Sequence, residues 1–319
     1  MASDVIEMVP DKDGVFRPKA ESTIHIGWKI AGGVAAVGVL GVGAYMLLRK
    51  SPEGGEAGEL PAGGGDSTPT NGNGGGGAPA INTGQWSNVR PLPTAADVAG
   101  FDLVKNWGQT PSDLRALFAQ MEVVSGIKGS ARIFSVISKR ESVGFKTSAH
   151  NDSSGERDAS RRAYNNAKGN NPPLKYGNQA AEFGSGGLFG ALGPYFLWTG
   201  VQEMGANAPL LGSPPEIMFL PRVAAFGACV YLQRLLDNYR IDDHADIKVG
   251  WANPSLLKSG RGNSTYQAVR TRFLSDAKDL QVDLQDTSTI PAALSAKPWP
   301  GVAKVFEQLV GTLPTPIGR

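Results

Sequence analysis

A glutamate at the end of an apolar helix is the residue of this chain best suited to acid–base chemistry. Four apolar side chains recur at helical spacing: Ile133, Phe134, Val136 and Ile137. They predict a buried helix that starts at Ser130 and ends near Gly144, with Glu141 and Ser142 in its last turn. The negative end of a helix disfavours a second negative charge. We therefore expect Glu141 to hold its proton tightly, as a general acid must; the alternative is a solvated polar pair.

Three further stretches follow this helix in a suggestive order. They are a Gly-rich turn at Gly184–Phe196 (GSGGLFGALGPYF), a long apolar helix at Ala224–Tyr239 and an aromatic-Asn turn at Lys248–Pro254 (KVGWANP). Together with the Glu-Ser helix end, this order resembles the soluble lytic transglycosylases and goose-type lysozymes. The resemblance covers roughly residues 111–264.

The resemblance implies a mainly α, lysozyme-like catalytic domain at residues 99–284 that cleaves peptidoglycan glycan strands. In that family the glutamate at the position of Glu141 protonates the β-1,4 oxygen between N-acetylmuramic acid and N-acetylglucosamine. The same carboxylate then takes the proton of the sugar's C6 hydroxyl, which closes a 1,6-anhydro ring without water. Ser142 is expected near the carboxylate and the sugar, or else as an ordinary polar residue at a helix end. The family needs no cofactor and no metal.

Six more residues are predicted to bind substrate by the same resemblance. Four match the family's Gly-Leu-Met-Gln element: Ser185, Gly187, Leu188 and Phe189. Gly190 stands where that element usually has Gln. Trp251 and Asn253 stand where the family has Tyr-Asn, and the Trp251 ring is suited either to stacking on a sugar or to a place in the core.

Two alternatives to the transglycosylase remain open. A muramidase that hydrolyses the same bond would need a second carboxylate to activate water, and Asp152, Glu156 or Asp158 could supply one. An inactive relative that binds the wall or has a structural role is favoured by the missing Gln and by Trp251 in place of the Tyr, unless Tyr195, Tyr231 or Tyr266 supplies that hydroxyl.

The N-terminal part of the chain contains a predicted membrane anchor. Ile30–Leu48 is an uncharged apolar run of bilayer-spanning length, flanked by basic residues. We assign residues 1–26 to a flexible tail and 27–50 to a transmembrane helix, with a secretory signal or a buried soluble helix as alternatives. Gly, Pro, Ser, Thr, Asn and Glu then dominate residues 51–82, so we assign residues 51–98 to a disordered linker and lead-in. Residues 285–319 are a C-terminal extension with one helix.

Composition excludes several other functions. A net charge of +2 argues against nucleic acid as a partner. The three histidines lack the spacing of a zinc peptidase, and no serine-hydrolase elbow is present. A single cysteine, Cys229, precludes an intrachain disulfide.

The predicted anchor and the family resemblance together indicate where the protein acts. We expect a single-pass membrane protein whose catalytic domain faces the cell wall, in a bacterial envelope or a phage virion, with envelope or virion proteins as further partners.

Overall fold

The computed structural model describes residues 8–10, 16–18, 86, 88–284 and 299–311. The predicted transmembrane segment at 27–50 and the Gly-rich linker up to residue 85 lie outside the described residues. Among the residues that are described, no helix is both long and apolar enough to cross a membrane.

Two short strands form a unit of their own near the N-terminus. Strands β1 (Met8–Pro10) and β2 (Phe16–Pro18) pair antiparallel, with Met8 opposite Pro18. They belong to the compact unit Met1–Ala36, whereas the remaining elements belong to the unit Val37–Arg319.

The second unit is mainly helical, as the sequence predicts: its described residues are 60% helix and 3% strand. After a 3₁₀ turn at Ala95–Val98, its helices are α1 (Ser112–Ser125), α2 (Ser130–Glu141), α3 (Ser154–Ala167), α4 (Gly177–Phe183), α5 (Gly193–Leu197), α6 (Val201–Met204), α7 (Pro221–Asn238), α8 (His244–Ala252), α9 (Pro254–Ser259), α10 (Ser264–Leu280) and α11 (Val302–Leu309). Short 3₁₀ turns at Gly205–Asn207 and Pro215–Phe219 precede α7.

One large apolar core joins most of these helices. Helix α1 packs on α2, α7 and α11, while α10 packs on α2 and α8. Phe118, Phe134 and Phe226 are among its fully buried side chains. The same core includes Trp86 on the N-terminal side and helix α11 on the C-terminal side, so the compact body extends beyond residues 99–284 in both directions.

A small antiparallel sheet interrupts the helices after α2. Its strands are β3 (His150–Asn151), β4 (Ser185–Gly186) and β5 (Ala191–Leu192), in the order β3-β4-β5. His150 lies opposite Gly186, and Ser185 lies opposite Leu192. The sequence shows no alternating strand pattern here, because a two-residue strand is too short to alternate. The Gly-rich turn, Gly184–Phe196, contains both β4 and β5, and its residues 187–190 connect the two strands.

Candidate functional site

Glu141 is the last residue of α2 and lies inside the protein. Its side chain is 6% exposed, and one carboxylate oxygen, Oε1, accepts a hydrogen bond from Nζ of Lys248 in α8. The Lys248 side chain is itself 9% exposed. A buried carboxylate is costly unless it is paired, and the ammonium of Lys248 supplies the pairing. The pair therefore connects the end of α2 to α8 and balances a charge that the helix end disfavours.

A second carboxylate lies close to this ion pair. Asp276 in α10 is 3.6 Å from Arg140, the residue that precedes Glu141. Burial raises the pKa of Asp276 above its ordinary value, although the charges of Arg140 and Lys248 act in the opposite direction. The Lys248 ammonium therefore acts on two carboxylates, one from α2 and one from α10.

No role for Lys248 follows from the family resemblance, although the sequence contains a signal for one. Lys248 is the one charged side chain between Ile247 and Trp251 in an otherwise apolar run. A lysine in such a run is rarely buried without a partner. The sequence could therefore have predicted that Lys248 has an acidic partner, but not which acid.

The backbone just after Glu141 has an unusual conformation. The N–H of Ser142 makes the last helical bond, to Ser138 O at 2.9 Å, and that of Gly144 donates to Lys139 O at 2.9 Å, which is the 6→1 bond of a Schellman cap. The left-handed position of that cap, normally Gly, is taken by Val143 with φ +51°. A β-branched residue in this region is strained by about 1–3 kcal/mol. Strain is therefore stored directly beside the proposed catalytic residue.

Ser142 completes the helix end. It is fully buried, and its hydroxyl donates to Ser138 O at 2.6 Å. It is the second bond that Ser138 O accepts from this residue, after the helical bond from the Ser142 N–H. The geometry matches the alternative of a polar helix-end residue, and a contact with sugar stays a prediction.

The glycines of the Gly-rich turn allow the chain to approach itself closely. Gly187 has φ +72°, and a Cβ there would lie 2.5 Å from Met218 O. Its N–H donates to Ala149 O at 2.8 Å, which ties the turn to the residue before β3. Gly187 is thus required by backbone packing; an approach to substrate stays a prediction for this residue.

An aromatic cluster brings the Gly-rich turn, α2 and α8 together. The ring of Phe189 lies 5.8 Å from Phe134 and 6.0 Å from Trp251, and Trp251 lies 6.3 Å from Phe134. Tyr231 covers another side of Trp251 at 5.0 Å. Phe189 and Trp251 are both buried, and Leu188 is fully enclosed. This burial favours the core alternative for Trp251, and its stacking on a sugar stays a prediction that requires the ring to be uncovered.

The two remaining predicted binding residues are buried as well. Asn253 is the N-cap of α9, where its Oδ1 accepts from the N–H of Ser255 at 3.0 Å. Ser185 lies in β4, and its buried hydroxyl has no hydrogen-bond partner within the described residues. Asn253 therefore has a clear structural role, whereas the packing leaves the Ser185 hydroxyl without one.

The three carboxylates considered for a hydrolase differ in their surroundings. Asp152 and Asp158 are exposed and pair with Arg157 and Arg161, each at 2.7 Å. The hydrogen bond and charge of Arg157 lower the pKa of Asp152. Glu156 is buried in α3, and its Oε1 accepts from Asn151 Nδ2 of strand β3 at 3.1 Å. Glu156 alone of the three thus combines a carboxylate with a buried position.

Two of the three tyrosines considered as hydroxyl donors already donate a hydrogen bond within the protein, and the third does not. Tyr231 donates to Gly250 O at 3.1 Å, and Tyr266 donates to Asp246. The Tyr195 hydroxyl is buried without a partner in the described structure, and burial raises its pKa to about 12.

Among the described residues, no group of three or more His, Cys, Asp or Glu side chains is arranged to hold a metal.

Comparisons of the chain with protein-family models, with curated proteins and with solved structures found no match.

Proposed function

We propose that this chain cleaves peptidoglycan glycan strands as a lytic transglycosylase with a lysozyme-like fold, and that Glu141 is its acid–base residue. The observation that carries the proposal is the position of Glu141: it is a buried carboxylate at the end of α2. The Gly-rich turn after β4 packs onto that helix through Phe189 and Phe134. The elements that the resemblance selected therefore meet in one region.

The ion pair with Lys248 determines how such a site would work. General-acid catalysis needs a carboxyl that contacts the substrate, whereas Oε1 of Glu141 accepts a hydrogen bond from the Lys248 ammonium. Binding of the glycan would have to separate Lys248 from Glu141 and bring the bridging oxygen to the carboxyl. Substrate binding and activation of the acid are then the same event.

Two proton transfers through Glu141 complete the reaction. The carboxyl protonates the bridging oxygen as the bond from that oxygen to C1 of the muramic acid breaks. The resulting carboxylate accepts the proton of the C6 hydroxyl while the C6 oxygen bonds to C1, which regenerates the acid. Lys248, still nearby, would stabilise the carboxylate formed between the two steps.

The membrane anchor belongs to the same proposal. A span at Ile30–Leu48 and the Gly-rich segment after it would hold the catalytic unit near the bilayer, facing the cell wall. Such an arrangement suits a bacterial envelope or the membrane of a phage virion.

A non-cleaving wall-binding or structural protein is the second candidate. It is favoured by the closed pair of Glu141 with Lys248 and by the burial of Phe189 and Trp251. In such a protein the pair would serve as a permanent contact between α2 and α8.

Digestion of purified cell walls by the full-length protein tests both candidates. We expect wild type to release muropeptides and Glu141→Gln to release none. Because Glu141→Gln alone leaves the buried Lys248 ammonium without its hydrogen-bonded carboxylate, the double variant Glu141→Gln/Lys248→Met serves as the better-folded inactive form. Glu307→Gln, at an exposed glutamate of α11, is the matched control and should cleave like wild type.

The products separate the remaining alternatives. Anhydro-muramic ends identified by mass spectrometry indicate a lyase, whereas reducing ends that are lost in Glu156→Gln indicate a hydrolase. Cleavage near the wild-type rate by Glu141→Gln would remove Glu141 from its role. Wall binding without cleavage by wild type would instead support the second candidate.

A further inference from the structure

A cavity on a different part of the molecule combines apolar walls with two arginines. It measures about 430 Å³, within the range of small-ligand sites. Seven residues line it: Trp86, Val89, Arg90, Leu92, Leu220, Pro221 and Arg222. Glu141 and the other predicted glycan-binding residues are absent from this lining, so the cavity is separate from the proposed cleavage site.

Arg222 is a buried cation whose direct partners in the described structure are all neutral. It is 5% exposed, and its guanidinium donates to Pro91 O at 2.5 Å, to Gln120 Oε1 at 2.7 Å and to Leu309 O at 2.9 Å. These bonds use Nε and Nη1, while Nη2 makes no hydrogen bond within the described residues. A buried charge with no ionic partner is costly, which favours an external anion at this position.

The surrounding charges are consistent with such an anion. Burial lowers the pKa of Arg222, and the neighbouring positive charge of Arg90 lowers it further, while Asp97 acts weakly in the opposite direction. Asp97 is exposed, and its Oδ2 accepts hydrogen bonds from the N–H and the hydroxyl of Thr94 at 2.7 and 2.8 Å. The two arginines thus repel each other, and the charge of each also lowers the pKa of the Asp97 carboxylate.

The position of both arginines is set by the fold. Arg222 is the second residue of the 18-residue helix α7, whose positive end adds to the field. The N–H of Arg90 donates to Val310 O at 3.1 Å. Its side chain lies against Gly311, where a Cβ would come within 3.3 Å of Arg90 Cγ. Arg222 is therefore fixed inside the fold, and the exposed Arg90 is held at its backbone and packed against Gly311.

We propose that this cavity binds the carboxylate at the end of a short apolar peptide. The Nη2 of Arg222 and the guanidinium of Arg90 offer donors for the two oxygens of one carboxylate. Five apolar lining residues suit a small hydrocarbon side chain beside it and do not suit a phosphate, whose third oxygen would meet no donor. The inference does not depend on the proposed cleavage activity.

A titration of the full-length protein with N-acetyl-alanyl-alanine tests the proposal. We expect a saturable NMR shift of the Trp86 indole N–H, and none with the same peptide as its C-terminal amide. Arg90→Gln should weaken binding by about tenfold, the loss of one charge-assisted hydrogen bond. Arg90 is chosen because it is exposed, whereas replacing Arg222 removes three internal bonds.

Arg272→Gln, at an exposed arginine of α10, is the matched control and should bind like wild type. Three outcomes would overturn the proposal: equal binding of acid and amide, unchanged affinity in a folded Arg90→Gln variant, or inorganic phosphate binding as tightly as the peptide. Cell-wall digestion by the Arg90→Gln variant is measured separately and tests only the cleavage activity assigned to Glu141. Either proposal can therefore fail without the other.

Discussion

Single residues near Glu141 show how chemistry and stability compete at this site. Glu141 is buried and paired, Ser142 closes the helix end, and Val143 has a backbone conformation that suits glycine. Local sequence predicted the helix and its approximate end. It could not predict the ion pair, because Lys248 is 107 residues away along the chain.

The strain at Val143 leads to a stability prediction. Val143 is 67% exposed, so its side chain contributes little packing in return for its left-handed backbone. Val143→Gly should raise the free energy of unfolding by about 0.5–2 kcal/mol, the relieved strain less the added freedom of the unfolded chain. Urea unfolding at constant pH measures this change.

Val104→Gly is the matched control for that change. Val104 is 81% exposed and is not among the residues with positive φ, so the substitution adds only unfolded-state freedom and should lower stability. A Val143→Gly variant less stable than wild type would show that no strain is stored there.

At the scale of elements, charged side chains connect helices that local patterns cannot relate. The pair of Glu141 and Lys248 joins α2 to α8, and Asp243 and Asp246 at the start of α8 bind Arg270 of α10. The periodicity of apolar residues predicts helices near α2 and α7, with bounds a few residues off. Which helices touch depends on side chains that are distant in sequence.

A double-mutant cycle measures the contact between α2 and α8. Glu141→Gln and Lys248→Met should each lower the free energy of unfolding by about 3–5 kcal/mol, because each removes one partner of a buried ion pair. The double variant should lose clearly less free energy of unfolding than the two single variants lose together. Urea unfolding of the four forms gives the coupling, and additive losses would show that the pair is not formed.

Acid should weaken the contact between α8 and α10 through Asp243. Burial opposes the charged form of Asp243, but hydrogen bonds from Arg270 and from the Asp246 amide outweigh it, so its pKa lies below the ordinary value of 3.8. A depressed acidic pKa stabilises the fold above the unfolded-state value, and that stabilisation disappears as the pH falls through the folded-state value. The loss therefore begins below about pH 4.

Asp243→Asn isolates this contribution. The variant loses the ion pair and weakens the N-cap of α8, where Asp243 accepts from the amides of Ala245 and Asp246. It should be less stable by about 1–3 kcal/mol at pH 7. The difference from wild type should shrink between pH 4 and pH 2 in denaturation curves. A difference that is constant with pH would contradict the assigned role of the Asp243 charge.

At the scale of the whole molecule, the core defines a body larger than the predicted catalytic domain. Trp86 and Phe306 of α11 pack edge to face at 6.2 Å, and Phe306 also meets Phe226 of α7 at 5.0 Å. The lead-in before residue 99 and the helix after residue 284 are therefore integral to the core. They also provide Arg90 and support the proposed carboxylate cavity.

Removal of one ring of α11 should destabilise this whole body. Phe306→Ala should lower the free energy of unfolding by about 3–5 kcal/mol. Unfolding followed by far-UV circular dichroism and by tryptophan fluorescence should still show one coincident transition, as expected for a single core. Leu274→Ala, at a 41% exposed leucine, is the control and should change stability by less than about 1 kcal/mol. Separate loss of α11 at unchanged global stability would contradict the single core.

Local patterns in the chain predict that the main unit is helical and roughly where its principal helices lie, because amphipathic periodicity and capping residues act over a few residues. They also mark Glu141 as the last acidic residue of a buried helix. It is the folding of the chain that pairs Lys248 with Glu141, packs Phe189 and Trp251 into one aromatic cluster and places Arg90 and Arg222 around one cavity. These arrangements join residues far apart in the chain, and their energies come from burial and charge pairing that exist only once the helices have packed.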